Sequence, residues 1–233
     1  MAKRTRSPEL QIFVDVAESN GFSSLGYSTN QTYHDDPRRL AFVFARYKFV
    51  AKMLSGAAHA LEVGCGDAFA SRLVRQEVGA LTVVDYDQLF IDDVGKRANA
   101  KWPLTAFVHD ILADGPVPGS FDAVYSLDLL EHLDPDADDA FVRNCVSGLD
   151  DHGTFLVGSP SKSSLAHASE QSRQGHINCK DGDELKALMR RHFHNVFLFS
   201  MNDEVVHTGF YPLAHYYLAL CCGQRSTPRA HRD

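Results

Sequence analysis

The chain has 233 residues, of which 44% are hydrophobic, and its formal net charge is −7. This length fits one large α/β domain with a short appended segment, and the acidic balance disfavours a general nucleic-acid-binding surface. No apolar run is long enough to span a bilayer, and the basic start at Lys3, Arg4 and Arg6 is not followed by the apolar run of a secretory signal. We therefore expect neither a nucleic-acid partner nor a membrane partner.

The cysteines and histidines indicate a compartment and argue against a structural metal. There are five cysteines, an odd number, and no C-x-x-C pair. This pattern favours reduced thiols in the cytoplasm and argues against a zinc knuckle. The twelve histidines are scattered along the chain. We predict no metal site.

The amino-terminal segment, residues 1–35, is polar and interrupted by glycines. Residues 21–34 are rich in Ser, Thr, Asn and Tyr, and this composition favours a loop, or a lid that covers a binding site. Tyr27 and Tyr33 are the aromatic side chains that could fold over such a site. Tyr33 could equally pack on the helix that follows.

A helix is predicted over residues 38–54, with Asp36 as its N-cap, Pro37 in its first turn and apolar residues at three- and four-residue spacings. Strands and helices then alternate, which predicts a parallel sheet with helices on both faces. The predicted strands are 60–63, 81–85, 104–108, 121–127, 154–158, 196–200 and 216–222. The predicted helices after the first are 68–76, 88–100, 138–149 and 183–193.

Three of the predicted strands lead into acidic residues that could hold a nucleoside. Ligands of open parallel sheets bind beyond the carboxyl ends of the strands. Asp85 lies 21 residues after Gly64, where a carboxylate could accept both ribose hydroxyls. Asp110 follows the third strand, where it could accept from an adenine amino group with Ile111 against the ring. Gly64 and Gly66 would let the backbone approach the ligand closely.

The glycine turn argues for a cationic cofactor. A dinucleotide fingerprint would read G-x-G-x-x-G, but Phe69 occupies the third glycine position. Glu62 places a negative charge directly before the turn, which is unfavourable for a diphosphate and favourable for an ammonium or a sulfonium. A nicotinamide-dependent or nucleotide-sugar oxidoreductase is therefore disfavoured.

Four blocks in order, residues 62–67, 84–85, 109–110 and 121–124 with 131–133, together resemble a class I S-adenosylmethionine-dependent methyltransferase. The resemblance covers roughly residues 37–222. It implies a Rossmann-like α/β fold whose seven-stranded, mostly parallel sheet has its last strand antiparallel, and S-adenosyl-L-methionine as cofactor. The chain is then expected to divide into three parts: an amino-terminal helical lid segment (1–35), the methyltransferase domain (36–222) and a flexible tail (223–233).

The resemblance also implies roles for particular residues. Gly64 and Gly66 would line the methionine part, with Glu62 supporting their turn. Asp85 would hold the ribose. The other expected cofactor contacts are Asp110 and Ile111 at the adenine, and Cys65, Tyr86 and Leu127 nearby. Three alternatives stay open: Glu62 could cap the following helix, Asp110 could be an ordinary turn acid, and Asp87 could N-cap the next helix.

Catalytic candidates are expected at the carboxyl edge of the sheet. His176 is the first choice for base or acceptor-positioning group, because it ends the long connection 159–180, and small-molecule O-methyltransferases such as those of quinone biosynthesis have a similar glycine and histidine there. His207, in the connection 201–215, is the second. His132 follows the fourth strand and is either structural or substrate-facing, while Glu131 is expected to shape the cofactor pocket.

The predicted function is methyl transfer to a small polar acceptor, at a hydroxyl of a sugar or natural product in preference to nitrogen. The preference for oxygen rests on the histidine bases and on the lack of an Asn/Asp-Pro-Pro-Tyr sequence. N-methylation of a small molecule and a non-catalytic S-adenosylmethionine-binding protein are the alternatives, and a protein or RNA acceptor stays open. We expect a monomer or a homodimer.

Overall fold

The computed structural model describes residues 3–225, and these residues form one eight-stranded sheet with helices. The strands are β1 (His59–Val63), β2 (Ala80–Asp85), β3 (Thr105–Val108), β4 (Phe121–Leu127), β5 (Leu149–Pro160), β6 (Phe193–Asn202), β7 (Val205–His207) and β8 (Tyr216–Gln224). The helices are α1 (Gln11–Asn20), α2 (Tyr27–Asp35), α3 (Arg38–Met53), α4 (Ser71–Arg75), α5 (Gln88–Lys96), α6 (Asp138–Val146), α7 (Glu170–Gly175) and α8 (Gly182–His192).

The sheet has the strand order β3-β2-β1-β4-β5-β8-β6-β7. Strands β1 to β5 pair in parallel, and β8 lies antiparallel between β5 and β6. The carboxyl ends of β1, β2 and β4 therefore meet at one edge, where strand order reverses between β1 and β4. This is the edge at which ligands of such sheets bind.

The prediction of seven strands was wrong by one short strand. Strand β7 forms a hairpin with β6 through Asp203 and Glu204, and Asp203 adopts a φ of 50°. Positive φ in a two-residue turn matches the twist of the paired strands. Three residues of strand are too few to show a period in the sequence. The last strand, β8, is antiparallel as predicted.

Helices pack on both faces of the sheet. Val50 of α3, Val74 of α4 and Ile91 of α5 belong to one buried cluster. Phe141 of α6 and Leu185 of α8 belong to the other. The two clusters take alternate residues of the strands, as expected for a sheet buried on both sides.

Several boundaries differ from prediction. Helix α4 is only five residues long, because Ala68 adopts a φ of 47°, which a helix cannot include. Helix α6 ends at Val146, and β5 starts at Leu149, well before the predicted strand. Helix α3 begins after Pro37, so Pro37 occupies the N-cap position that was predicted for Asp36. The Asp36 carboxylate still accepts a hydrogen bond from the Arg38 amide (3.1 Å).

The amino-terminal segment is more regular than its composition suggested. Residues 27–35, expected within a loop or lid, form helix α2, and α1 precedes it. The predicted tail begins inside β8, which continues to Gln224, and residues 226–233 lie outside the described residues. Among residues 3–225, no helix has the length and apolar character needed to cross a membrane.

Candidate active site

Strand β1 ends in a carboxylate that is fully buried. Glu62 has no exposed surface, and it accepts hydrogen bonds from the hydroxyls of Tyr47 on α3 (2.7 Å) and Tyr125 on β4 (2.8 Å). Burial raises the pKa of Glu62 to about 7, although hydrogen bonds to its oxygens act in the opposite direction. Glu62 thus lies in the core, two residues before Gly64 of the glycine turn.

The glycine turn depends on residues without side chains. Gly64 and Gly66 have φ values of 77° and 50°, which favour glycine. A Cβ on Gly64 would come within 2.7 Å of the Leu129 side chain. The amides of Gly64 and Cys65 both donate to the Val84 carbonyl, at 2.9 and 3.0 Å. The turn is therefore fastened to β2.

Asp85, at the end of β2, is held by backbone amides. Its Oδ2 accepts from Gly66 N (2.8 Å) and its Oδ1 from Asp87 N (3.0 Å). A carboxylate oxygen has two lone-pair positions, so both oxygens can still accept from a ligand. The Asp87 side chain accepts from Leu89 N (2.8 Å) and N-caps α5. Asp87 is therefore the acid that N-caps α5, which was one of the alternatives left open by the sequence, and Asp85 does not have that role.

Asp110 combines both interpretations given to it. Its Oδ1 accepts from the amides of Leu112 (2.9 Å) and Ala113 (3.1 Å), as in an ordinary turn. Asp110 also lines a cavity together with Ile111, which is 5% exposed. The turn therefore positions the carboxylate at the edge of the predicted adenine site.

Two adjoining cavities occupy the carboxyl edge of the sheet. Their volumes are about 280 and 500 Å³. The residues shared by both are Gly64, Asp85, Tyr86, Leu129 and His132. The smaller also contains Asp110 and Ile111, and the larger also contains Cys65, Gly66 and Leu127. All predicted cofactor residues except the buried Glu62 thus lie on one cleft.

Helix α2 forms one wall of the larger cavity through Ser28, Thr29 and Thr32. The amide and hydroxyl of Thr29 donate to the two carboxylate oxygens of Asp67, at 2.7 and 3.1 Å. The sequence predicted Tyr27 and Tyr33 as the side chains of a lid, and did not predict these three. Tyr27 packs edge-on against Phe90, and Tyr33 packs beside its neighbour His34. Neither tyrosine lines the two cavities.

Two of the predicted histidines lie side by side. The rings of His132 and His176 are 4.9 Å apart, and His132 lines both cavities. His132 Nδ1 is 3.0 Å from the Gly175 carbonyl oxygen. Partial burial and the neighbouring His132 lower the pKa of His176. Burial raises the pKa of Glu131. A carboxylate oxygen of Glu131 lies within 4.8 Å of a ring nitrogen of His132 and of a ring nitrogen of His176.

The third predicted histidine is separate from this pair. His207 lies in β7, and its Nε2 is 2.9 Å from Asn202 Oδ1. Its Nδ1 accepts from Gly209 N, also at 2.9 Å. His207 lines neither cavity, since the extra hairpin occupies both of its ring nitrogens locally.

An ion pair beside the cleft was not predicted. Arg46 of α3 pairs with Asp128 at 2.8 Å, and its guanidinium lies 3.8 Å from the ring centroid of Tyr216. Asp128 lines the larger cavity with a φ of 55°, a strained conformation for a residue other than glycine. Asp128 directly follows β4, as Asp85 ends β2, so the same sequence pattern marks both acids. Nothing local marks Arg46, because its partner is 82 residues away.

Comparison with known proteins finds similarity to methyltransferases over part of the chain. A family described as "Methyltransferase domain" matches residues 60–153. A probable S-adenosylmethionine-dependent methyltransferase of Mycolicibacterium smegmatis is 32% identical over 103 residues, which cover 44% of this chain and 38% of the relative. One of Mycobacterium tuberculosis is 28% identical over 151 residues, covering 63% and 53%. The chain thus spans about two fifths to one half of the curated relatives it matches.

The fold agrees with this match. The N-methyltransferase NodS from Bradyrhizobium japonicum, solved with S-adenosyl-L-homocysteine, superposes with a TM-score of 0.58. It is 18% identical, and the alignment covers 80% of this chain and 86% of NodS. At this identity the likeness concerns the fold alone. Residues 60–153 thus match a methyltransferase-domain family, the curated relatives are probable S-adenosylmethionine-dependent methyltransferases, and the fold is similar to that of a solved methyltransferase.

Proposed function

We propose that the protein transfers a methyl group from S-adenosyl-L-methionine to a small polar acceptor, and that a hydroxyl of a sugar or natural product receives it. The observation that carries the proposal is the continuous cleft in which His132 borders both the predicted cofactor residues and the second histidine, His176. Cofactor and acceptor groups thus have adjacent places.

The residues of the cleft suit the cofactor. The larger cavity, of about 500 Å³, lies within the range of small-molecule sites, and the adjoining cavity adds about 280 Å³. Asp85 offers acceptor oxygens for ribose hydroxyls, and Ile111 offers an apolar surface for adenine. Gly64 and Gly66 admit the methionine part, and the buried Glu62 adds negative charge behind it. The bound cofactor supplies a methyl group already activated on a sulfonium.

The residues next to the cofactor would then align the acceptor and exclude water, which is the main task when the transferred group is already activated. A hydroxyl acceptor also needs to lose its proton. His176 and His132 are the side chains that we place at this proton. Helix α2 would act as a lid, because Ser28, Thr29 and Thr32 face the larger cavity.

N-methylation of a small molecule is the second candidate, since NodS is described as an N-methyltransferase. An uncharged amine attacks without a base, so it would depend less on the two histidines. A non-catalytic S-adenosylmethionine-binding protein would retain the cofactor and show no turnover. We also keep as proposals the division into a lid segment, a domain beginning near residue 36 and a tail, a cytoplasmic location, and a monomer or homodimer.

Cofactor binding can be tested at Asp85. We expect calorimetry to show S-adenosylhomocysteine binding with at least micromolar affinity. Asp85→Asn should weaken it by about 1 kcal/mol or more, a fivefold rise in Kd, because a charge-assisted hydrogen bond is lost. Asp92→Asn, on the exposed face of α5, is the matched control and should bind normally. Absence of binding by the native protein would remove the proposed function.

The acceptor side can be tested at His176. We expect His176→Ala to lower turnover at least tenfold with an acceptor found by screening, while S-adenosylhomocysteine affinity stays within twofold. His167→Ala, an exposed histidine in the same connection, should retain full rate. Mass spectrometry of the product identifies the methylated atom. A full-rate His176→Ala enzyme would exclude this histidine from the mechanism.

A further inference from the structure

Glu131 is a buried carboxylate without a hydrogen-bond partner of normal geometry among the described residues. It has no exposed surface, and both of its oxygens are unpaired. Ser159 lies nearby, but its hydroxyl points instead toward the Pro160 carbonyl, at 3.4 Å. Arg46 is also near, but it pairs with Asp128. Buried polar groups are normally satisfied, so this carboxylate needs a proton or a cation.

The two neighbouring imidazoles, of His132 and His176, are arranged as the histidine ligands of a metal ion are. A neutral His132 that donates from Nδ1 to the Gly175 carbonyl carries its lone pair on Nε2. Histidines that bind metals typically donate their other ring N–H to a carbonyl or carboxylate in this way. The Nδ1 atom of His176 is buried and has no partner among the side chains that the structure describes, which are those of residues 3–225 without Gln171. Ligand atoms of Glu131, His132 and His176 all lie within 4.8 Å of one another.

We propose that Glu131, His132 and His176 bind a divalent transition-metal ion such as Mn²⁺ at the acceptor side of the cleft. Two imidazoles and one carboxylate are a donor set that such ions accept while leaving coordination positions open. His132 lines both cavities, so the open positions face the space assigned to the acceptor. This revises the expectation of no metal site, which came from sequence spacing alone: His132 and His176 are 44 residues apart in the chain.

The ion would select the acceptor. This step rests on the proposed function, because it assumes that an acceptor hydroxyl reaches the cleft. A hydroxyl that binds a divalent cation loses its proton more readily, and the proton passes to water. With the ion bound, the two imidazoles act on the acceptor proton through the metal, as its ligands, and this replaces the direct proton acceptance by His176 or His132 that applies without an ion. The favoured acceptor is accordingly one whose oxygen can coordinate the ion.

The test uses the full chain without a histidine tag, treated with chelator and then dialysed. Titration calorimetry with Mn²⁺ should show one site per chain. Glu131→Gln and His176→Ala should each weaken Mn²⁺ binding at least tenfold, with circular dichroism confirming that they fold. His167→Ala should bind within twofold of the native protein. Pulsed electron paramagnetic resonance of the native protein should show nitrogen couplings from imidazole on the bound Mn²⁺, which requires no variant.

Absence of Mn²⁺ binding, or binding that both variants retain, would overturn the metal site. Calorimetry with S-adenosylhomocysteine on the same samples separates the two proposals. If the cofactor product binds and Mn²⁺ does not, the metal site is wrong and the methyltransferase proposal stands. If Mn²⁺ binds and the cofactor product does not, the metal site stands and its role in methyl transfer is lost.

Discussion

The carboxyl group of Glu62 is fully buried in the core. Two tyrosine hydroxyls donate to it, yet burial dominates and the pKa of Glu62 rises to about 7. A group whose pKa is raised on folding stabilises the protein fully below its unfolded pKa. That contribution is lost as the pH rises through the folded value. The buried Glu62 carboxylate therefore opposes folding above neutral pH unless a cation lies near.

We expect Glu62→Gln to remove this pH dependence. Relative to the variant, the native protein should lose about 3 kcal/mol of unfolding free energy between pH 4.5 and pH 8, because the shift from 4.5 to about 7 has that value. Urea unfolding at a series of pH values measures it.

Glu77→Gln is the control for this prediction. Glu77 lies at the surface, and hydrogen bonds from Lys52 and Ser55 lower its pKa, so its contribution is lost as the pH falls instead. The prediction is wrong if the unfolding free energies of the native protein and of Glu62→Gln change equally with pH over this range. That result would show that folding does not raise the pKa of Glu62.

At the scale of elements, helix α2 shows how a neighbouring loop decides local structure. Its sequence is polar and predicts loop, but Asp67 of the glycine turn accepts from the Thr29 amide in the first turn of the helix. A carboxylate at that position satisfies a free amide and interacts favourably with the helix dipole. The cap comes from 38 residues away, so no local pattern could reveal it. The strands β1, β2 and β4, by contrast, have patterns that are legible locally.

We expect Gly26→Ala to displace α2, because a Cβ there would lie 2.4 Å from the Cβ of Asp67. The free energy of unfolding of the variant should be lower by about 1–3 kcal/mol, because the added methyl group overpacks this contact. Faster hydrogen exchange over residues 27–35 and weaker binding of S-adenosylhomocysteine should report the displacement.

Gly95→Ala is the matched control, because apart from its chain neighbours and the backbone of its own helix α5 no described atom lies within 4 Å of a Cβ at that position. It should leave exchange in α2 and ligand affinity unchanged. Native exchange rates in Gly26→Ala would show that α2 does not depend on its contact with the glycine turn.

At the scale of the whole molecule, the sheet brings the site together. The parallel register pairs Val63 with Val84, and β4 lies on the other side of β1. The ends of β1, β2 and β4 thus deliver the glycine turn, Asp85 and Asp128 to one edge. This convergence follows from alternating strands and helices, since a right-handed crossover returns each strand parallel to the last.

The sequence alone determined the alternating order of strands and helices and pointed to the residues that line the cleft, and the resemblance to the methyltransferase family implied the antiparallel last strand. Hydrophobic periodicity and the acids that end strands are local patterns, and local patterns are legible along the chain. Only the tertiary structure decided the extra strand β7, the helical state of α2, the separation of His207 and the meeting of Glu131, His132 and His176. Each of these depends on contacts between residues distant in the chain, and a buried carboxylate can be recognised as lacking a partner only when all its neighbours are in place.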